Sequence, residues 1–256
     1  MQSLDPRALG LALAMAVAAG LVGSFAVMRR MTLAADAMSH VALPGIGLAL
    51  IFKLQPVVGG VAMLLLGTLL IWALERGTRL STETIVGVVF SAALAAGSLL
   101  ASGEELIDAL FGGAGKLAPW ESAAGLAVAA AIVAFVLLEK DRLIVSLVSP
   151  DIARTAGIDV ARLDLLFLAA FSLTVALGLR YLGVLLMGSL IIIPGATAKR
   201  LARSLHGMLQ ISVALAVGAT ALGFVAAALL HRETGPLVIL CSASFFFLSL
   251  PFRRTA

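Results

Sequence analysis

Charge is scarce in this sequence. Of its 256 residues only 12% are Asp, Glu, Lys or Arg, while 61% are hydrophobic. Soluble domains carry about 25% charged and about 45–50% apolar residues. A chain with half that charge cannot hide its apolar side chains in one core and still present a wettable surface. Its mean hydropathy of +1.12 agrees. Cysteine is nearly missing as well: the lone Cys241 excludes an internal disulfide framework and a cysteine-cluster metal site. Within its apolar run it reads as a small buried hydrophobe. Asparagine is absent altogether, and so is any long hydrophilic stretch that could form a soluble domain. A His-Glu-x-x-His pair, which an intramembrane metalloprotease would need, is also lacking. What remains is a polytopic helical membrane protein. At ~20 residues per crossing, its length admits at most about twelve helices.

Hydrophobic runs bounded by charge, glycine or proline give nine spans, at 8–28, 31–52, 56–74, 82–101, 122–138, 163–179, 182–198, 208–230 and 236–250. Merging one pair would make eight. The first run has small-residue triplets like a signal-peptidase site, but no basic flank precedes it and it exceeds a signal core, so it counts as a span. The formal net charge is +4, and the placement of the basic residues matters more than their sum. With the N-terminus outside, inner loops hold Arg29, Arg30, Arg76, Arg79, Lys140, Arg142, Arg154, Arg162, Lys199, Arg200, Arg203, Arg253 and Arg254. Outer segments hold only Arg7, Lys53, Lys116, Arg180 and Arg232. That asymmetry has the sign of the positive-inside rule and places the C-terminus in the cytoplasm. No nucleic-acid partner is implied by it.

Two loops carry information. The outer loop 102–121 starts with a helix-like piece at 104–111 and continues into the glycine-rich 112–115. The inner loop 139–162 contains Ser149-Pro150-Asp151-Ile152-Ala153-Arg154-Thr155-Ala156-Gly157. Serine can cap a helix start, proline suits the first helical position, aspartate favours its positive end, and glycine suits the exit. A short amphipathic helix there, between two spans, reads as a docking element.

The strongest chemical signal is Asp36-Ala37-Met38-Ser39-His40, followed by Leu43-Pro44-Gly45. Residues four apart on a helix share a face, with Cβ atoms about 5–6 Å apart. A carboxylate oxygen and an imidazole nitrogen at that spacing suit one divalent cation such as zinc or manganese. Ionisable groups cost on the order of 2.5–3.5 kcal/mol at the centre of a span, so they usually face a cavity, a partner or an ion path. Pro44 and Gly45 predict a helix break lining a cavity. Spacing alone leaves other readings open: Asp36 sits near Arg29 and Arg30 and could be interfacial, and His40 could be a hydrogen-bonded core histidine. Two ligands are also too few for a closed site, unless a symmetric second chain brings two more to a shared axis.

Weaker candidates follow. His206 and His231 read as solvated interfacial histidines, and Glu83 as a carboxylate stabilising a helix N-terminus. Pro194-Gly195 predicts a kink or hinge in the seventh span. Gly112-Gly113-Ala114-Gly115-Lys116-Leu117 fails as a nucleotide loop: position 110 is not glycine, and Leu117 replaces the hydroxyl residue. Coupling to ATP therefore requires a partner.

With Arg29-Arg30 before it, Asp36-x-x-Ser39-His40-x-x-Leu43-Pro44-Gly45 resembles the hallmark of the metal-ion ABC transporter permeases of the zinc/manganese/iron(II) uptake class. Thr84-Ile85-Val86-Gly87-Val88-Val89-Phe90-Ser91 is similar to that family's next shared stretch, and Leu110-Phe111-Gly112 to its outer-loop motif. Asp151 to Gly157 resembles its cytosolic coupling segment. Gly183-Val184-Leu185-Leu186 through Ile193-Pro194-Gly195-Ala196-Thr197-Ala198 is similar to its late glycine/proline span, and Thr234-Gly235-Pro236 to the start of its last. The matches run in family order over most of the chain. Departures are Gly195, where alanine is commoner, and Gly113, where a polar residue is common.

The resemblance implies an all-α, type II ABC importer-like permease, with residues 1–256 as a single transmembrane domain in the bacterial inner membrane. Two such chains, expected as a homodimer, would share one extracytoplasmic metal-binding protein, and each would dock an ABC ATPase subunit. Asp36 and His40 would contact the transported zinc, manganese or iron(II), with no permanently bound cofactor. The segment 149–157 would be the coupling helix, with Pro150, Asp151, Ala153, Arg154 and Gly157 meeting the ATPase. The nearest alternatives are a permease for metal chelates of the siderophore or cobalamin type and an intramembrane metal-dependent enzyme.

Overall fold

The computed structural model describes residues 6–78, 80–100, 119–181 and 184–251. Among them, every regular element is a helix. In chain order these are α1 (Pro6–Met28), α2 (Thr32–Val41), α3 (Leu43–Ile51), α4 (Pro56–Gly77), α5 (Thr82–Leu100), α6 (Pro119–Val148), α7 (Pro150–Thr155), α8 (Val160–Tyr181), α9 (Val184–Leu201), α10 (Leu205–Leu230) and α11 (Thr234–Ser249). In a medium without water each backbone amide must bond within its own segment, and helices meet that condition.

Among the described residues seven stretches are long and apolar enough to cross a membrane, α2 and α3 together making one of them. The other two expected spans are α9, with 18 residues and Lys199 and Arg200 in its last turn, and α11, with 16. The most apolar part of α1 is 78% buried and that of α6 only 22%, so α1 is the central post and α6 lies at the periphery. Around α1 stand α6, α8, α9 and α10. Leu65, Leu66, Leu69 and Leu70 on α4 and Leu137 and Leu138 on α6 point outward. Such an exterior belongs in lipid.

Without a hydrophobic drive between helices in lipid, contact depends on close packing and interhelical hydrogen bonds. A Cβ at Gly23 would lie 1.9 Å from the Ile191 carbonyl oxygen, and one at Gly45 2.2 Å from that of Gly59. At those points α1 meets α9, and α3 meets α4, backbone to backbone. Ser212 Oγ donates to the Gly20 carbonyl at 2.7 Å, joining α10 to α1. Thr68 and Ser172 pair their hydroxyls between α4 and α8. Ser24, Ser39, Thr174 and Thr220 instead donate to carbonyls one turn back in their own helices.

Two boundaries differ from the sequence reading. The loop expected at 139–162 is helical as far as Val148. Charge ends the apolar run there without ending the helix: Arg142 bonds both carboxylate oxygens of Glu139 at 3.0 Å, and Leu143 and Ser146 stay buried. The span 31–52 is interrupted at Ala42, whose amide closes α2 on the Ser39 and His40 carbonyls. Pro44 occupies the first turn of α3. Its missing N–H and its ring act on the preceding turn, so the break falls before the proline.

The end of α1, the end of α4 with the start of α5, α7, and the start of α8 share one end of the bundle. Contacts of Arg29 with Asp164, Trp72 with Ala161 and Glu75 with Thr82 gather them there. The motif Leu110-Phe111-Gly112 and the glycine-rich 112–117 lie outside the described residues.

Candidate functional site

Asp36 and His40 project from consecutive turns of α2. Behind them, a Cβ on Gly188 of α9 would sit 3.2 Å from the Asp36 Cα, so α9 backs the helix tightly. In front, α5 leaves a cavity of about 270 Å³ lined by Asp36, Ala37, Thr82, Glu83, Val86 and Phe90, among others. Asp36 is exposed toward it and His40 half-buried. The His40 ring meets Phe90 edge-on, centroids 5.4 Å apart. Its Nδ1 is buried and has no hydrogen-bond partner among the described residues. A buried imidazole nitrogen without a partner forfeits a bond that water would have supplied.

Neighbouring groups have other tasks. Ser39 is fully buried and its hydroxyl donates to the Ala35 carbonyl at 2.9 Å. Glu83 and Phe90 are the residues that sequence reasoning did not assign to this place. Glu83 was read as a helix-terminal charge, yet it lines the same cavity as Asp36. Among the described residues no three His, Cys, Asp or Glu gather closely enough to hold a metal ion.

The break residues are packed. Gly45 abuts Gly59 of α4, and a Cβ on Gly97 of α5 would fall 2.9 Å from Leu43 Cβ. Pro44 is buried with it. On α9, Pro194 and Gly195 are buried while the helix continues to Leu201. A Cβ on Gly195 would approach the Gly23 carbonyl oxygen at 2.8 Å.

The short helix α7 is capped at both ends. Ser149 Oγ accepts from the Ile152 amide at 3.3 Å, Pro150 holds the first turn, and Arg154 pairs with Asp151 at 2.9 Å. Gly157 takes φ +79°, which lets its amide reach the Arg154 carbonyl and that of Ile158 the Ala153 carbonyl, each at 3.0 Å. Ala153 is wholly buried while Ile152 is 62% exposed. Beside it opens a cleft of about 760 Å³ lined by Trp72, Glu75, Arg76, Arg154, Asp159 and Asp164, among others. The remaining histidines are exposed: His206 lies near Gln210 at 3.2 Å, and His231 closes α10 in the left-handed conformation.

Residues 2–253 match the ABC 3 transport family, and the chain belongs to it. The sequence is 30% identical over 240 residues, 91% of each chain, to the high-affinity zinc uptake system membrane protein ZnuB of Haemophilus influenzae. It is 29% identical over 247 residues, 95% of this chain and 88% of the other, to the manganese import system permease protein ScaB of Streptococcus parasanguinis. Its fold is similar to PsaBC from Streptococcus pneumoniae, solved in complex with Fab, with a TM-score of 0.81 and 28% identity over 95% of this chain and 89% of that one. The chain is thus a multi-pass membrane protein of a transport permease family.

Proposed function

We propose that this chain is the membrane-spanning permease subunit of an ATP-driven importer of divalent transition-metal ions: zinc, manganese or iron(II). The observation that carries the reading is the pair Asp36 and His40, one helical turn apart, with Asp36 open to a cavity between α2 and α5 in a chain of this family. Relatives named for zinc uptake and manganese import support it.

The whole chain acts as a single transmembrane domain in the bacterial inner membrane, N-terminus outside and C-terminus in the cytoplasm. An extracytoplasmic binding protein delivers the ion. As the ion loses water, the Asp36 carboxylate supplies charge and His40 a nitrogen donor, in a site left open so that the ion can leave. A second, identical permease chain adds its own pair and completes the coordination. Hydrolysis of ATP belongs to a separate ATPase subunit docked on α7, through Pro150, Asp151, Arg154 and Gly157, while Ala153, expected to meet it, is wholly buried and seats α7 on its own chain. Alternate opening to the two sides follows as the helices rock about packed points, with Pro44-Gly45 and Pro194-Gly195 as the places where α3 and α9 yield.

Vesicles holding the chain, its ATPase and its binding protein test this. Free zinc, manganese or iron(II) should enter in an ATP-dependent way. Asp36→Ala with His40→Ala should reduce uptake to that of empty vesicles while the ATPase still co-purifies. Normal uptake by the double variant would overturn the ligand role, and transport of a metal chelate undiminished by free metal would overturn the substrate class.

A further inference from the structure

The cavity carrying Asp36 and the helix α7 lie on different parts of the chain, and one charged contact joins their supports. Arg29 stands in the turn from α1 to α2. That turn is fixed: Arg30 takes φ +60°, and the Arg29 and Met31 amides donate to Phe25 and Ala26 carbonyls at 2.8 Å. Three residues after Arg29, the ligand-bearing helix α2 begins.

Arg29 Nη1 meets Asp164 Oδ1 at 2.7 Å, with the two side chains 14% and 32% exposed. The guanidinium lies over the Phe167 ring, 4.5 Å from its centroid, and Phe167 packs edge-on to Phe25 at 6.3 Å. The Arg29 Nε is buried and unpartnered, so the carboxylate of Asp164 is the main compensation for this charge. A half-buried Glu75, which accepts from Thr82, stands close enough to interact electrostatically with both. The pairs Arg142–Glu139 and Arg154–Asp151 stay within one helix, whereas this one spans two elements.

Asp164 is in turn joined stiffly to α7. The Schellman-type closure at Gly157 runs directly into Asp159, whose carboxylate accepts from the Arg162 amide at 3.0 Å and whose carbonyl accepts from that of Leu163. Only the Ile158–Asp159 peptide separates the bonds that close α7 from those that open α8. Trp72 Nε1 donates to the Ala161 carbonyl at 2.8 Å and braces the same segment against α4.

We infer that the Arg29–Asp164 ion pair is the joint that delivers displacement of α7 to the helix bearing Asp36 and His40. Both are positioning residues: neither touches the ion, and each acts through the turn that aims α2. A short, partly buried pair suits such a task, because it resists separation more than a fully exposed one. The role rests on the transport reading given above.

The test uses the complete importer in vesicles and reads ATP hydrolysed per ion transported. Asp164→Asn should leave basal hydrolysis within about twofold of wild type while uptake falls about tenfold, so that ATP spent per ion rises by about that factor. Asp164→Glu, which keeps the charge, should restore most of the coupling. An unchanged ratio in Asp164→Asn, or a parallel fall of hydrolysis and uptake, would overturn the inference. Should Asp164→Asn fail to assemble, Arg29→Lys decides, since it keeps the charge but gives up the planar stack on Phe167. A raised ratio supports the joint, and a wild-type ratio overturns it. Absence of metal uptake by the wild-type importer would instead defeat the transport reading, and the joint with it.

Discussion

The imidazole of His40 and the ring of Phe90 meet edge-on at 5.4 Å, the one from α2 and the other from α5. Phe90 thereby packs against the imidazole from α5, a helix to which the sequence assigned no ligand.

Removing that brace should loosen the histidine without removing it. Aromatic contacts of this geometry contribute about 0.5–1.5 kcal/mol beyond area burial. Phe90→Ala should raise the metal concentration for half-maximal uptake by about two- to tenfold. Uptake measured across a metal titration checks this, and an unchanged curve would remove Phe90 from the site.

The contact of Gly45 with Gly59 predicts a steric cost. An alanine at 45 places its methyl 2.2 Å from the Gly59 carbonyl oxygen, so α3 and α4 must part. Gly45→Ala should destabilise the protein by about 1–3 kcal/mol, lowering its unfolding temperature in detergent. Gly10→Ala on α1, where nothing lies within 4 Å, should leave that temperature unchanged or slightly raised.

Much of this fold was legible in local pattern. Asp36 and His40 share a face because the helical period puts them there, and Ser149, Pro150 and Gly157 each mark α7 by backbone chemistry that acts within a turn. Family resemblance of the stretch from Thr84 to Ser91 pointed to α5 without saying what it faces. Nothing local announces that Phe90 reaches His40 or that Arg29 meets Asp164, since those contacts arise only when distant helices pack. The helical course of residues 139–148 was missed for another reason: charged residues mark where lipid ends, and helix-forming Glu, Lys and Arg carry the backbone onward regardless.

At α7, two substitutions should weaken assembly with the ATPase. Gly157 holds φ +79°, a conformation that costs a side-chain-bearing residue about 1–2 kcal/mol. Ser149→Ala gives up the cap on Ile152, at about 0.5–2 kcal/mol. Gly157→Ala and Ser149→Ala should each lower the yield of ATPase co-purified with the permease, with the double variant lower still.

Trp72 supplies a separate check on the brace at the start of α8. Trp72→Phe keeps the ring but leaves the Ala161 carbonyl without its indole donor. A cost of about 1 kcal/mol is expected, read as a lowered unfolding midpoint. An unchanged midpoint would show that water replaces the indole there.

The length of α6 has a consequence for how the chain meets its surroundings. Its 30 residues extend about 45 Å, against a hydrocarbon thickness of about 30 Å. The surplus, about ten residues from Glu139 to Val148, stays packed through Leu143 and Ser146 and leads straight into the cap of α7. Such a helix carries any movement at its far end along a rod rather than through a slack loop.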